Sequence, residues 1–271
     1  MPFRWSRRRF VHATPGLGAL GLLSFANGLS AQIPPAPTAA ASEAFPAQDP
    51  ALIKEIVGVS HGDLKRVREL VEHQPALARA SFDWGFGDWE TCIDAASHVG
   101  RREIADLLIT NGARPTLFTA AMLGQLDVVR AFVAARPGVQ GTYGPHGITL
   151  MSHARAGGAD AAAVVTYLTT LGDADQRLQS SPLAASDRDA LVGRYVYGPG
   201  PRDYFDVDVR NDQLGIERPA SASRRFLIHT GELLFFPTGV PSTRIAFRLE
   251  AGKVTQLTVA DPAVIVTAKK M

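Results

Sequence analysis

Between residues 49 and 178 the apolar positions recur every three or four residues, and after residue 186 they recur every second residue. The first period predicts amphipathic helices and the second predicts half-buried strands. In the helical part, Ile104, Leu107 and Leu108 form an i, i+3, i+4 stripe behind Gly100, and Asn111-Gly112 ends it. The same arrangement returns three times. Val128, Val129, Phe132 and Val133 follow Gly124; Val164, Val165, Leu168 and Leu171 follow Gly157-Gly158; Val67, Leu70 and Val71 follow Gly62-Asp63. Small residues such as Ala95-Ala96 and Ala120-Ala121 precede these stripes and allow a neighbouring helix to approach closely. In the strand part, Phe205, Val207 and Val209 alternate with Asp206, Asp208 and Arg210. Eight runs of this kind are separated by turn residues: 191–197, 204–210, 213–218, 225–229, 232–237, 244–250, 254–259 and 263–269. Such a meander protects its edges best by curling into a small antiparallel barrel.

The helical units have a repeat. TCIDAASHVGRREIADLLITNGARP (91–115) reads as helix, turn, helix, turn and resembles the ankyrin repeat. Thr91 stands at the opening threonine of that motif, Ala95-Ala96 at its small-residue core, Gly100 at its mid-repeat glycine and residues 111–113 at its terminal turn; Cys92 and Asp94 depart from its proline and histidine. The glycines at 62, 100, 124 and 157 are spaced 38, 24 and 33 residues apart, against about 33 in a regular array. About four irregular repeats are expected, with the hairpin between the second and third missing and an enlarged finger between the first and second. That finger is SFDWGFGDWE (81–90), with Phe82, Trp84, Phe86 and Trp89 among three acids and two glycines. Its rings either fold back over the first helices or the strand domain, or anchor a partner, or stack on a small ligand.

The strand segment resembles the small β domain appended to many serine β-lactamase-like hydrolases. The likeness rests on Leu191, Gly193 and Tyr195, on residues 206–209, and on the run from Ile245 to Leu257. In those proteins the appended domain does not carry the nucleophile. No serine here has a lysine three residues on, and Gly-x-Ser-x-Gly, a Gly-rich phosphate loop and HExxH are all missing.

The N-terminus changes the charge picture. SRRRFV (6–11), followed by a mildly apolar stretch from Ala13 to Leu29, resembles a twin-arginine export signal spanning 1–31, which implies periplasmic delivery. Its apolar stretch is short for a membrane span, so no stable membrane insertion is expected after cleavage. The formal charge of the whole chain is +2; without the four arginines of the signal, 24 basic residues face 26 acidic ones. A chain with no basic excess is a poor nucleic-acid binder. One cysteine, Cys92, excludes intrachain disulfides and cysteine-cluster metal sites. A Pro/Ala-rich linker (32–48) is expected to lead into the repeat array (49–178), and the β domain occupies 187–271.

Candidate chemistry is sparse. Asp94 and His98 are i, i+4 on one helix and can meet, but the Asp94 position suits a turn-bridging hydrogen bond. His146 and His153 would need a third ligand to hold a metal, and spacing supplies none. Asp206 and Asp208 share a strand face where a cation could sit, and Arg224-Arg225 could hold an anion; a solvated surface explains all four. The expectation is an α+β multidomain protein, an ankyrin solenoid followed by an eight-stranded barrel or meander. It carries no catalytic, cofactor or metal site and acts as a monomeric scaffold for a protein partner. The partner surface is the concave face of the repeats together with the finger, through Phe82, Trp84, Phe86 and Trp89, with Arg101 and Arg102 setting charge complementarity. The alternative is a small ligand held by the β domain or by the groove beside the repeats.

Overall fold

Thr91, Thr116 and Thr149 show how the helices start. Each side-chain oxygen accepts the backbone N–H three residues on, from Asp94, Thr119 and Ser152 respectively, and so caps a helix. Asp49 and Asp63 cap two earlier helices in the same way. A computed structural model describes residues 43–176, 179–219, 223–261 and 264–271. The export signal and the first eleven linker residues lie outside the described residues.

Eight helices run as four pairs. They are α1 (Pro50–Val59) with α2 (Leu64–His73), α3 (Cys92–His98) with α4 (Arg102–Thr110), α5 (Leu117–Met122) with α6 (Leu126–Ala135), and α7 (Leu150–Ala156) with α8 (Ala162–Leu171). The first helices touch in order, α1 to α3 to α5 to α7, while α2 meets α4 and α6 meets α8. One apolar cluster, from Ile56 to Ala113, is built on α1 to α4 and is joined by Met122 of α5; another, including Val129, Leu150 and Leu168, is built on α5 to α8. The hairpin β1 (Ser81–Asp83) and β2 (Trp89–Thr91) stands between α2 and α3, and no strand is described between α4 and α5.

The turn glycines do more than end helices. A Cβ on Gly100, at φ 72°, would lie 2.1 Å from the Ala156 carbonyl oxygen; one on Gly157 would lie 2.0 Å from that of Met122. The fourth pair therefore approaches both the second and the third backbone to backbone at these points, and α7 touches α3 as well as α5. Gly100→Ala combines that clash with a left-handed conformation, and is expected to cost more than about 2 kcal/mol in urea denaturation.

After a short helix, α9 (Ala185–Leu191), eight strands close an antiparallel barrel: β3 (Gly193–Val196), β4 (Tyr204–Arg210), β5 (Gln213–Arg218), β6 (Ser223–Gly231), β7 (Leu234–Pro237), β8 (Arg244–Glu250), β9 (Lys253–Asp261) and β10 (Val264–Lys270). Consecutive strands pair, and β10 returns to β3 through Lys269 opposite Val196. All eight strand segments fall on the runs that the alternation predicts. Tyr195, Phe205, Val207, Leu214, Phe235, Phe247 and Leu257 fill the interior. Leu191, at the end of α9, joins this core, and the Tyr195 hydroxyl donates to its carbonyl at 2.6 Å. The residues read as a boundary before the barrel thus form a helix that caps one end. Asp206 and Asp208 do face outward, but each is taken by arginine, Arg194 at 2.8 Å and Arg224 at 2.7 Å. Residues 42–271 form one compact unit.

Candidate metal centre

Four side chains from three separate stretches converge beside the finger. His61 sits in the turn between α1 and α2, Glu90 in the middle of β2, His98 at the last position of α3, and His146 in a 3-10 turn just before α7. One donor atom from each lies within 4.8 Å of all the others. Glu90 Oε1 is 3.0 Å from His98 Nε2, 3.2 Å from His146 Nε2 and 3.5 Å from His61 Nε2. His61 Nε2 and His98 Nε2 are themselves 3.1 Å apart. Four donors about 2.0–2.1 Å from one tetrahedral ion would be about 3.3 Å from each other; four of the six pairs here lie at 3.0–3.5 Å, and all six within 4.8 Å.

The hydrogen-bond inventory fits either a bound cation or a network of protonated imidazoles around Glu90. His61 Nδ1 lies 2.9 Å from the Gly58 carbonyl, to which it must donate. Neutral His61 therefore turns the lone pair of Nε2 toward the Glu90 carboxylate and the His98 nitrogen. Three imidazole nitrogens also crowd one carboxylate oxygen. Without an ion, the arrangement requires extra protons on the rings; with an ion, every lone pair has an acceptor.

The surroundings hold the donors in place. Asp88 accepts from both His146 Nδ1, at 2.7 Å, and the His146 backbone N–H, at 2.9 Å. Those two bonds fix the ring and hold His146 at its unusual φ of 60°. Trp84 Nε1 donates to the second Glu90 oxygen at 2.7 Å, leaving Oε1 to face the histidines. Arg225, from β6 of the barrel, reaches Asp88 Oδ2 at 2.5 Å. A carboxylate or carbonyl behind each metal-binding imidazole is the usual way of fixing its orientation and tautomer.

Electrostatics follow from this packing. Burial alone would raise the Glu90 carboxyl, but hydrogen bonds from His146, His61 and His98 outweigh it and hold the group far below the usual carboxylate range. Burial would lower His146, yet Asp88 and Glu90 raise it to about 9. The Glu90 hydrogen bond raises His61. Glu90 itself is 0% exposed. A fully buried carboxylate without a metal depends on protonated imidazoles for its charge balance.

The remaining candidates separate. His153 stays outside the cluster; it is buried, its Nδ1 lies 2.9 Å from Ser97 Oγ, and burial lowers it to about 3. Spacing supplied His146 with no third ligand because its partners arrive from 85, 56 and 48 positions upstream. Asp94 does not meet His98; the hydroxyls of Thr91 and Thr116 donate to it at 2.7 and 2.8 Å, bridging the starts of α3 and α5. Of the finger rings, Phe82 and Trp84 pack on the first helical cluster and Phe86 on the barrel core, while Trp89 is 61% exposed. Arg101 approaches the His61 carbonyl at 3.4 Å, and Arg102 pairs with Asp160 at 3.4 Å. Cys92 lies close in sequence but apart in chemistry. Burial pushes its thiol up to about 12, so iodoacetamide is expected to leave the native protein unmodified and to react on unfolding.

No helix among the described residues is long and apolar enough to cross a membrane. No protein-family model matches this chain, and no curated protein matches its sequence.

Proposed function

We propose that this protein is a metal-binding scaffold that takes a zinc-class divalent ion at His61, Glu90, His98 and His146. The observation that carries the reading is the convergence of four donors, three of which (His61, Glu90 and His146) are held from behind by a second group. Three imidazoles and one carboxylate suit zinc and the neighbouring first-row ions rather than calcium or magnesium. Four protein ligands complete a tetrahedral shell, so the ion acts as a clip between the finger and three helix pairs, and the protein binds rather than catalyses. The helical part is read as an ankyrin-type array; the threonine caps, the turn glycines and the stacking of first helices on one another support this. Export through the twin-arginine pathway would deliver the protein already folded, with the ion in place.

The test is metal content after purification from cells supplemented with zinc. One equivalent per chain in the wild type, lost in the Glu90→Gln and His98→Ala variants, supports the reading. Less than a tenth of an equivalent in a wild type that also takes up no zinc on titration refutes it.

A second reading concerns the partner surface. Trp89 is exposed on the finger, and Val128 and Phe132 are exposed on α6. Aromatic anchors of this kind supply much of the energy of protein interfaces. Trp89 fits the role of a partner anchor better than Phe82, Trp84 or Phe86, which pack inside. Capture of one protein by the wild type and its loss with Trp89→Ala supports a partner at the finger; equal capture by both removes it.

A further inference from the structure

α9 caps one end of the barrel; at the other end, among the described residues, Tyr197, Phe205, Ile216, Val259 and Val266 line a cavity of about 440 Å³ together with Phe86 of the finger. Among the described residues its polar groups are Arg218, Asp261 and the Tyr197 hydroxyl; Arg218 Nε donates to Tyr197 at 2.9 Å and Thr243 donates to Asp261 at 3.2 Å. Val264, also in the lining, is 59% exposed, so the apolar surface continues to the outside.

The finger is shaped to reach this mouth. Asp83 Oδ1 accepts the backbone N–H groups of Gly85 and Gly87 at 2.8 and 3.2 Å, which folds the tip into a tight turn. Phe86 sits at its apex with φ 60°, a left-handed conformation that is strained for a non-glycine residue. The Asp88–Arg225 ion pair then ties the finger to β6. A strained aromatic residue delivered to an opening, yet leaving it unfilled, is the arrangement of a binding site wall.

We propose that the barrel mouth binds a small, uncharged, mainly apolar molecule with a hydroxyl or carbonyl group at one end. The apolar walls set its body, and the volume accommodates roughly 10–20 non-hydrogen atoms. The oppositely charged pair at the rim adds no net charge, so it favours a neutral hydrogen-bonding end over an anion or a cation. The two sites share the finger, but the proposal does not rest on zinc being bound at the metal centre.

The probe is N-phenyl-1-naphthylamine, a neutral fluorophore of suitable size, titrated into the purified protein. Saturable binding to one site with micromolar affinity is expected. Val266→Trp fills the cavity and should weaken binding at least tenfold, whereas Leu249→Trp, at the far end of the barrel, should leave it unchanged. The related anion 1-anilinonaphthalene-8-sulfonate should bind at least tenfold more weakly than the neutral probe. Methyl NMR of the wild type needs no variant: shifts on probe addition should centre on Ile216, Val259, Val264 and Val266. Non-saturable binding, an undiminished Val266→Trp variant that melts as the wild type does, or methyl shifts centred elsewhere would overturn the proposal. Equal binding of the two probes would overturn the neutral character of the ligand.

Discussion

His98→Ala is expected to weaken zinc binding by at least a hundredfold while the protein still folds. His98 Nε2 is the donor nearest to both Glu90 Oε1, at 3.0 Å, and His61 Nε2, at 3.1 Å, so its removal opens a tetrahedral shell on the side where the donors crowd most. Three donors remain and can keep a weakly held ion with water in the fourth position. Without metal the substitution removes the nearest of the imidazoles on which the buried Glu90 carboxylate depends, so the apo variant should be less stable than the apo wild type by about 1–3 kcal/mol. The contrast appears on adding zinc. At a thousand times Kd, an ion bound only by the native state stabilises it by about 4 kcal/mol. For a chain of this size that corresponds to a rise in Tm of roughly 8–15 °C. Calorimetric scans with and without zinc should show this rise in the wild type and at most about a third of it in His98→Ala at the same concentration. Equal rises in both would remove His98 from the site.

Arg225→Met is the second large effect, and it acts from the barrel. Asp88 and Arg225 have side chains only 3% and 9% exposed, and their ion pair joins the finger to β6. Hydrogen bonding and the nearby charges of His146 and Arg225 hold the Asp88 carboxyl below its ordinary range in spite of its burial. Removing the guanidinium leaves that carboxylate buried with His146 as its remaining charged partner. Loss of one member of a buried pair costs about 3–5 kcal/mol, to be read from urea denaturation in the presence of a chelator. Asp88 also orients His146, so zinc affinity should fall by roughly ten- to a hundredfold in the same variant. The double variant Asp88→Asn/Arg225→Met should recover part of the stability, because no uncompensated charge stays buried. It should not recover the metal affinity.

The strands were legible because each carries its own signal. Alternation in YFDVDVR or RIAFRLE is complete within seven residues, and two-residue turns such as Asn211-Asp212 set the register locally. The helix pairs were legible for the same reason, through stripes, capping threonines and turn glycines. The metal centre has no such local signature. Its four donors come singly from positions 61, 90, 98 and 146, and Glu90 looks like one more acid of a solvated finger. What could have drawn attention to it is the combination of an enlarged finger rich in acids with histidines near the turns of three different helix pairs. The packing of Phe86 into the barrel mouth was beyond local pattern, since it depends on where the barrel settles against the helices.

Zinc K-edge measurements on crystals grown with one equivalent of zinc would test the central claim most directly. An anomalous peak enclosed by His61 Nε2, Glu90 Oε1, His98 Nε2 and His146 Nε2, with absorption fine structure fitting three nitrogens and one oxygen at about 2.0–2.1 Å, is the expected result. A peak at another place, or protein crystals without bound zinc whose histidines keep this same arrangement, would contradict it.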